Sequence, residues 1–394
     1  MIFKKCLLVF KTILKTKYVF KEPEKKELLI FDGESLEELK KVLLGLNYQI
    51  LETRISRIKK IFITPKIIFL TIKNYKNNIL SSYLLSLIDI IKPKVVFTFI
   101  DNSFRFSEFA SLRQKNYKFV ALQNGARYEH KIFRLLHKKK IIDKNHFKFH
   151  IPNFLCFGEN EIKDYKKNKQ LIKKFTKVGS LRISNYLNSK KNKKKKKSKL
   201  ENDILLISDV YCWDKILEKT NFPIELGVAK LIKFCLRFSK ENKAKIKIAT
   251  RSFKNSFEKE KSFYKKYLND REYKYLMKNL FYRQKNYATY KIMEKSKIVI
   301  GTMSTLLREN LFINGKSLSC NFTGTDIFDF PISGFCSLKD CNYDKFEKRV
   351  KKLLKISNKN YTDGLEKNRS FIIFKNNKNS TINLVNSKLR SFLK

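Results

Sequence analysis

The densest group of side chains able to hold an anion lies at residues 301–309. In the run Ile298-Val299-Ile300-Gly301-Thr302-Met303-Ser304-Thr305-Leu306-Leu307-Arg308-Glu309-Asn310 an apolar strand-like segment feeds Gly301, whose missing Cβ lets the backbone turn tightly. Thr302, Ser304 and Thr305 then offer hydroxyls and free amides at a helix start, with Ser304 as the N-cap. Unpaired N–H groups and the helix dipole favour an anion there, and a pyrophosphate suits the arrangement. Thr305 and Glu309 are four residues apart, on one helix face and about 6 Å apart along the axis. A carboxylate at that distance from a bound phosphate could accept hydrogen bonds from ribose hydroxyls. The plainer alternative is an ordinary capped helix with an exposed glutamate.

Ligands of open parallel sheets bind beyond the carboxyl ends of the strands. The other candidates are therefore the polar residues that follow apolar runs: Asp32 with Gly33, Asp101 with Asn102, Gln123-Asn124-Gly125, Ser208 and Arg251. Asp-Gly and Asn-Gly also form ordinary turns. The runs that position these residues alternate with helical periodicity. Strands are expected at 28–31, 95–100, 119–122, 203–208, 245–249, 297–300 and 316–320, and helices at 35–46, 80–91, 223–238, from 301–304 to about 313, and 381–393. Continuous apolar strands separated by helices indicate parallel sheets covered on both faces.

Residues 188–199, NSKKNKKKKKSK, contain no apolar side chain and repel one another. They read as a linker between an α/β half at 1–187 and a second at 200–375, with a terminal helical segment at 376–394 that can pack back across the junction. A solvated loop inside one domain is the alternative. Two α/β halves joined by a hinge suggest a cleft enzyme.

The 394 residues, 43% of them apolar, can bury a core for each half, which excludes a disordered chain. With 87 Lys+Arg against 36 Asp+Glu the formal charge is +51, so the protein should meet polyanions. Nucleic acid, an anionic membrane face and a nucleotide diphosphate all qualify. The charge is read as a diffuse solvated surface favouring membrane proximity rather than a nucleic-acid groove. The 34 Phe and 18 Tyr could stack on bases, yet they sit largely within apolar runs such as VVFTFI and FLCF, where core packing is the better account. Cys6, Cys156, Cys212, Cys235, Cys320, Cys336 and Cys341 are scattered without metal-ligand spacing, as in a reduced cytoplasmic protein. The first twenty residues mix apolar positions with five lysines and offer no small-residue cleavage site. They read either as a basic amphipathic helix on a membrane surface or as a first element of the fold.

The ordered series FDGESLEELKKVL, KPKVVFTFIDNS, FVALQNGAR, FLCFGENEIKDYKK, VGSLRISNY, IATRS and SKIVIGTMSTLLREN resembles bacterial surface-carbohydrate and O-antigen biosynthesis proteins of the GT-B type. More distantly it is similar to the CDP-glycerol glycerophosphotransferase and polysialyltransferase group. The likeness spans residues 28–334 and implies two Rossmann-like domains facing a central cleft, the first holding the acceptor and the second a nucleotide-activated donor. Ser304 and Thr305 match the donor-phosphate pair, Glu309 the glutamate that follows it, Gly158 and Gly179 the glycines leading out of the first domain, and Arg251 the basic position after a second-domain strand.

One departure bears on mechanism. Glycerophosphotransferases carry His-Gly where this chain has Gln123-Asn124-Gly125, so an amide replaces the expected catalytic histidine. An amide cannot act as a general base, although it can orient an acceptor hydroxyl. Asp101 and Asp32 are then the best-placed carboxylates, with Asn102, Gly125 and Arg127 on the acceptor side. His130 is read as a surface histidine, the alternative being that it folds back into the cleft. Asp326 and Asp329 lack the spacing of a metal-binding acidic motif, so a transfer without metal or cofactor is expected. Its donor is a nucleotide sugar and its acceptor a lipid-linked or polysaccharide chain at the inner membrane face, with no specific nucleic acid partner. The competing readings are a basic nucleic-acid-binding protein and a GT-B-like binding protein without turnover.

Overall fold

In the computed structural model, residues 16–76, 78–138, 140, 148–190, 200–210, 223–285, 287–365, 368 and 371–394 are described. Cys6, Cys212, the first fifteen residues and 191–199 of the expected linker lie outside them. The first half contributes strands β1 (Lys17–Val19), β2 (Leu28–Phe31), β3 (Tyr48–Leu51), β4 (Lys60–Phe62), β5 (Val95–Thr98), β6 (Lys118–Leu122), β7 (His150–Cys156) and β8 (Leu171–Lys177). Six of these form one sheet in the order β3-β2-β5-β6-β7-β8, while β1 and β4 pair separately. The second half contributes β9 (Asn202–Ile207), β10 (Ile246–Ala249), β11 (Leu280–Phe281), β12 (Ser296–Gly301), β13 (Ser317–Asn321) and β14 (Ser337–Lys339). Their order is β11-β10-β9-β12-β13-β14. Every pairing in both sheets is parallel.

All-parallel sheets need cover on both faces, and the strand sequences supply it. Along β2, Leu29 and Phe31 enter one core with Phe106, Phe109 and Phe119. Leu28 and Ile30 enter another on the opposite face, with Val42, Phe97 and Val120. The helix Thr381–Leu393 closes that second face through Ile382, Val385 and Leu389. Asn386 also donates to the Val42 carbonyl at 2.6 Å, so the end of the chain is fastened to the first sheet.

Two expectations change. The helix expected at 35–46 is helical only over Leu36–Leu39 and continues as turns. Asp32 (φ 75°) and Ser35 (φ 73°) are left-handed just before it, and Ser35 makes no side-chain cap bond. Leu39, Val42 and Leu43 are nonetheless buried. The strand expected at 95–100 stops at Thr98, whose hydroxyl donates to the Phe31 carbonyl and accepts from Ile100 N, both at 3.0 Å. That turn brings Asp101 over the sheet end.

Each strand order reverses direction once, between β2 and β5 in the first sheet and between β9 and β12 in the second. These reversals open the crevices in which ligands of such sheets sit.

Candidate functional site

At the second reversal, β12 delivers Gly301 and the turn Thr302-Met303-Ser304, and the helix Thr305–Phe312 follows with Ser304 as its N-cap. The Ser304 hydroxyl accepts from Leu306 N at 3.3 Å. Across the crevice, Asp209 follows β9 by two residues. Its Oδ2 accepts from Thr302 N at 2.7 Å and Met303 N at 3.0 Å. Gly301 leaves it room, since a Cβ there would sit 3.2 Å from that oxygen. The amides of Thr302 and Met303 therefore already hold an anion, and it is a carboxylate of the chain itself. Burial pushes the Asp209 carboxyl up to about 6, while the amides and the charge of Arg251 act in the opposite direction.

Ser208 does not face this crevice. Its hydroxyl lies 2.6 Å from the Tyr264 hydroxyl and 3.2 Å from Glu260 Oε2, all three buried. Glu260 Oε1 in turn accepts from Ser252 N at 2.6 Å, fixing the turn after β10 that carries Arg251. Thr302 is buried, and among the described residues its hydroxyl has no partner.

Glu309 is not the exposed glutamate of the plainer alternative. It is fully buried, accepting from the Ser180 hydroxyl at 2.5 Å and the Tyr290 hydroxyl at 2.8 Å. Burial raises its pKa, opposed by those two bonds and by Arg182. With this carboxylate at 1% exposure, a ribose could reach it only if the packing around it opened.

At the first reversal, the buried Asp101 receives a two-pronged bond from Arg127, Nε to Oδ2 at 2.9 Å and Nη2 to Oδ1 at 2.5 Å. Asn124 N donates to the same Oδ1 at 3.2 Å, and the Asn124 side-chain oxygen accepts from Arg127. Burial works against the Arg127 cation, but Asp101 outweighs it and raises the pKa. Asn102 donates to Glu129 Oε1 at 2.8 Å. Burial also works against the Glu129 carboxylate, which Arg127 holds below the usual range. Gln123 is consumed internally, accepting from Phe157 N at 2.7 Å and donating to Gly125 O at 2.9 Å. Asp32 stands on the other side of this reversal as a turn anchor, bonded to Glu34 N, the Thr53 hydroxyl and Arg54 Nε, each at 2.9 Å.

The two crevices touch. Ala126 N donates to Thr305 Oγ1 at 2.8 Å, and the Tyr128 hydroxyl donates to Met303 O at 2.9 Å. Gly125 permits this approach, because a Cβ would lie 3.2 Å from Thr305 Oγ1. Beneath them Arg308 and Glu161 form a fully buried pair, Nη1 to Oε1 at 2.6 Å and Nη2 to Oε2 at 3.0 Å. The loop expected to carry the acceptor thus lies on the first turn of the helix expected to carry the donor. Gln123, Arg127, Tyr128, Ser304 and Arg308 line the narrow cleft between them.

Three arginines rim the same junction. Arg182 opens the helix Leu181–Lys190, Arg251 follows β10 and Arg283 follows β11. Burial lowers the Arg283 pKa, and the charges of Arg182 and Arg251 lower it further, which marks the three as neighbours. Glu38 lies 3.9 Å from Arg182 Nε. Sequence reasoning found only Arg251. Arg283 and Asp209 satisfy the same strand-end rule and were there to be found, whereas Arg182 sits within a helix and gave no such signal.

His130 corrects the surface reading. It is buried against the Tyr165 ring at 4.4 Å, with Nε2 2.8 Å from Asp164 Oδ2. The packing of Tyr165 and Ile132 draws it inward despite its charged sequence neighbours. Among the described residues no three His, Cys, Asp or Glu side chains group so as to hold a metal ion. Asp329 is engaged by Lys339 at 2.9 Å and by Asn321.

Two six-stranded parallel sheets whose crevices meet define the GT-B fold shared by glycosyltransferases and sugar-nucleotide epimerases. The chain is similar to Methanocaldococcus jannaschii UDP-GlcNAc 2-epimerase in complex with UDP-GlcNAc and UDP, with a TM-score of 0.55 and 11% identity over 92% of this chain and 99% of that one. It is also similar to S. aureus MnaA in a co-structure with UDP, with a TM-score of 0.52 and 13% identity over 93% and 95% of the two chains. No curated protein matches. A family model described as "putative O-antigen biosynthesis protein" matches residues 120–329, more than half of the chain, and the protein belongs to that family. The matched span runs from within β6 to Asp329, and so includes both the 123–127 loop and the Ser304–Glu309 helix start.

Proposed function

We propose that the protein is a GT-B glycosyltransferase that moves a sugar from a nucleotide-activated donor to a surface polysaccharide or a lipid-linked acceptor. The observation that carries this reading is the bond from Ala126 N to Thr305 Oγ1, which sets the polar edge of one crevice against the anion-seeking helix start of the other. The family's O-antigen description agrees with it. On this reading residues 1–187 form the acceptor half and 200–375 the donor half, with 188–199 as the linker and 376–394 returning to the first half.

The donor diphosphate lies between the Ser304 and Thr305 hydroxyls and the arginines Arg182, Arg251 and Arg283. Asp209 already draws on the amides of Thr302, Met303 and Ser304, so the phosphates draw on the hydroxyls and the guanidiniums. Fixed cations and dipoles aimed at the departing diphosphate stabilise charge as it develops, and on this reading the transfer needs neither metal nor cofactor. Asn124 and Arg127 orient the acceptor hydroxyl. Asp101 is committed to Arg127 and Asp32 to Arg54, so each acts through electrostatics and position, and the proton of the attacking acceptor hydroxyl leaves on the departing diphosphate as its bond to the sugar breaks. No helix among the described residues is long and apolar enough to cross a membrane. The proposed location is the cytoplasmic membrane face, held peripherally by the basic surface.

A thermal-shift series with UDP, GDP, CMP, CDP and short DNA tests this on the wild type, Arg251→Gln and Arg283→Gln. One nucleotide class should stabilise the wild type, by about 2.7 kcal/mol at a hundredfold excess over Kd, and the shift should shrink in both variants. Equal shifts in all three proteins, or a response to DNA alone at physiological salt, would refute the donor site. Mass spectrometry with the matching sugar nucleotide then separates transfer from binding without turnover.

A further inference from the structure

The helix Pro65–Lys73 is apolar on two opposite sides. Ile67 is buried and Leu70 packs beside it in the core under the first sheet. On the other side Ile68, Phe69 and Ile72 are 50%, 63% and 70% exposed, and Tyr75 and Ile79 extend the patch at 59% and 71%. Pro65, Ile68, Phe69 and Ile72 fall at i, i+3, i+4 and i+7, which is a single stripe facing out. The helix is well formed, since the Thr64 hydroxyl caps it by accepting from Ile67 N at 3.2 Å. Phe20, 78% exposed, lies close to its start, because Ile63 N donates to the carbonyl of Val19 at 2.8 Å.

Scattered exposed apolar residues are ordinary, but a contiguous group of this size marks a contact surface. Its charge says what the contact is. Residues 53–88 contain seven Lys and Arg and no Asp or Glu. Lys66, Lys73 and Lys76 are exposed beside the stripe, Lys66 within 3.0 Å of Glu22. A second copy of a chain with a net charge of +51 would bring lysines against these lysines. An anionic bilayer offers apolar chains for the stripe and negative headgroups for its flanks.

We propose that this face seats the protein on an anionic lipid bilayer, with Ile68, Phe69 and Ile72 entering the acyl boundary and Lys66, Lys73 and Lys76 at the headgroups. Tyr75, with an apolar ring and a polar tip, fits the interface between them. The inference goes beyond the glycosyltransferase reading and does not depend on it, because docking requires neither donor nor turnover.

Co-sedimentation of the full chain with vesicles tests it, using phosphatidylglycerol/phosphatidylethanolamine mixtures against phosphatidylcholine alone. The wild type should pellet with the anionic vesicles and weakly with the neutral ones. Phe69→Ser/Ile72→Ser should lower anionic partitioning at least tenfold while leaving the Tm, the solution mass and any nucleotide shift unchanged. Changing Lys66, Lys73 and Lys76 to Gln should lower it as well and flatten its salt dependence. Undiminished pelleting of the serine variant would overturn the proposal by moving the lipid contact elsewhere. So would a wild type that is dimeric and ignores vesicles while the serine variant is monomeric, since the patch would then join two copies. A failed nucleotide screen would leave this result standing.

Discussion

Asp101 and Asp209 stand at the two reversals from opposite sides, Asp101 after the later strand of its pair, β5, and Asp209 after the earlier strand of its pair, β9. Each follows a central strand at the point where the strand order reverses, and each is almost wholly buried, at 1% and 4% exposure. Their surroundings differ. Asp101 faces a guanidinium that grips both of its oxygens. Asp209 faces two peptide N–H groups, with the Arg251 charge acting from further off. A bidentate ion pair fixes charge and position together. Peptide dipoles favour an anion without supplying a countercharge, so burial can push Asp209 up to about 6. The first crevice is thus closed electrostatically, while the second holds an anion that a small change in conditions can neutralise. That contrast locates the adjustable half of the junction in the second domain.

The sharpest way to break the contrast is to remove Asp101. Asp101→Ala removes the two-pronged partner of the largely buried Arg127, leaving it only the charge of Glu129, and should cost up to about 3–5 kcal/mol of unfolding free energy. Adding Arg127→Met should recover most of that loss, because the stranded cation rather than the missing contact carries the cost. Urea denaturation of the two variants checks both. A single-mutant cost under about 1 kcal/mol would mean that the pair behaves as a surface bridge and that the two crevices are alike.

Asp209 should instead reveal itself through pH. Its carboxyl is raised from 3.8 to about 6 in the folded protein, so the native state binds the proton more tightly than the unfolded chain. The resulting stabilisation is complete below about pH 4 and is lost as pH rises through about 6. Asp209→Asn removes the titration but keeps an oxygen for the Thr302 and Met303 amides. Relative to that variant, the wild type should lose on the order of 3 kcal/mol between these limits. Glu309, also raised by burial, titrates in the same sense but is present in both proteins and cancels in the difference. Parallel stability curves from pH 4 to 7 would remove the distinction between the two aspartates.

Much of this arrangement could be read from the chain. Runs such as Leu28–Phe31 and Ile246–Ala249 announce buried parallel strands because they are apolar throughout, and the strand-end rule pointed to Asp101, Arg251 and the Thr302–Thr305 turn. β8 was not seen, because an edge strand reading LIKKFTK carries its lysines outward and lacks the apolar signature. Side-chain commitments were hidden for a different reason. Spacing puts Glu309 on the face of Thr305, but Ser180 and Tyr290 arrive from 129 and 19 residues away to occupy it. The same holds for Arg308, read only as part of a helix, whose partner Glu161 lies 147 residues back in the other half. Local periodicity carries no information about such partners.

The smallest expected effect addresses the seam where the two crevices meet. Thr305→Val keeps the side chain's shape but removes the acceptor for Ala126 N, and should cost about 1 kcal/mol. Gly125→Ala places a Cβ 3.2 Å from Thr305 Oγ1, a distance relieved by a shift of a few tenths of an ångström, so its cost should stay below about 1 kcal/mol. The two changes act on one contact, and their combined effect should depart from the sum by about 0.5 kcal/mol or more. Additive costs in that double-mutant cycle would mean that Ala126 and Thr305 are apart in the free protein. The 123–127 loop and the helix start would then meet through the neighbouring contacts instead, Tyr128 to Met303, Ser180 to Glu309 and Arg308 to Glu161.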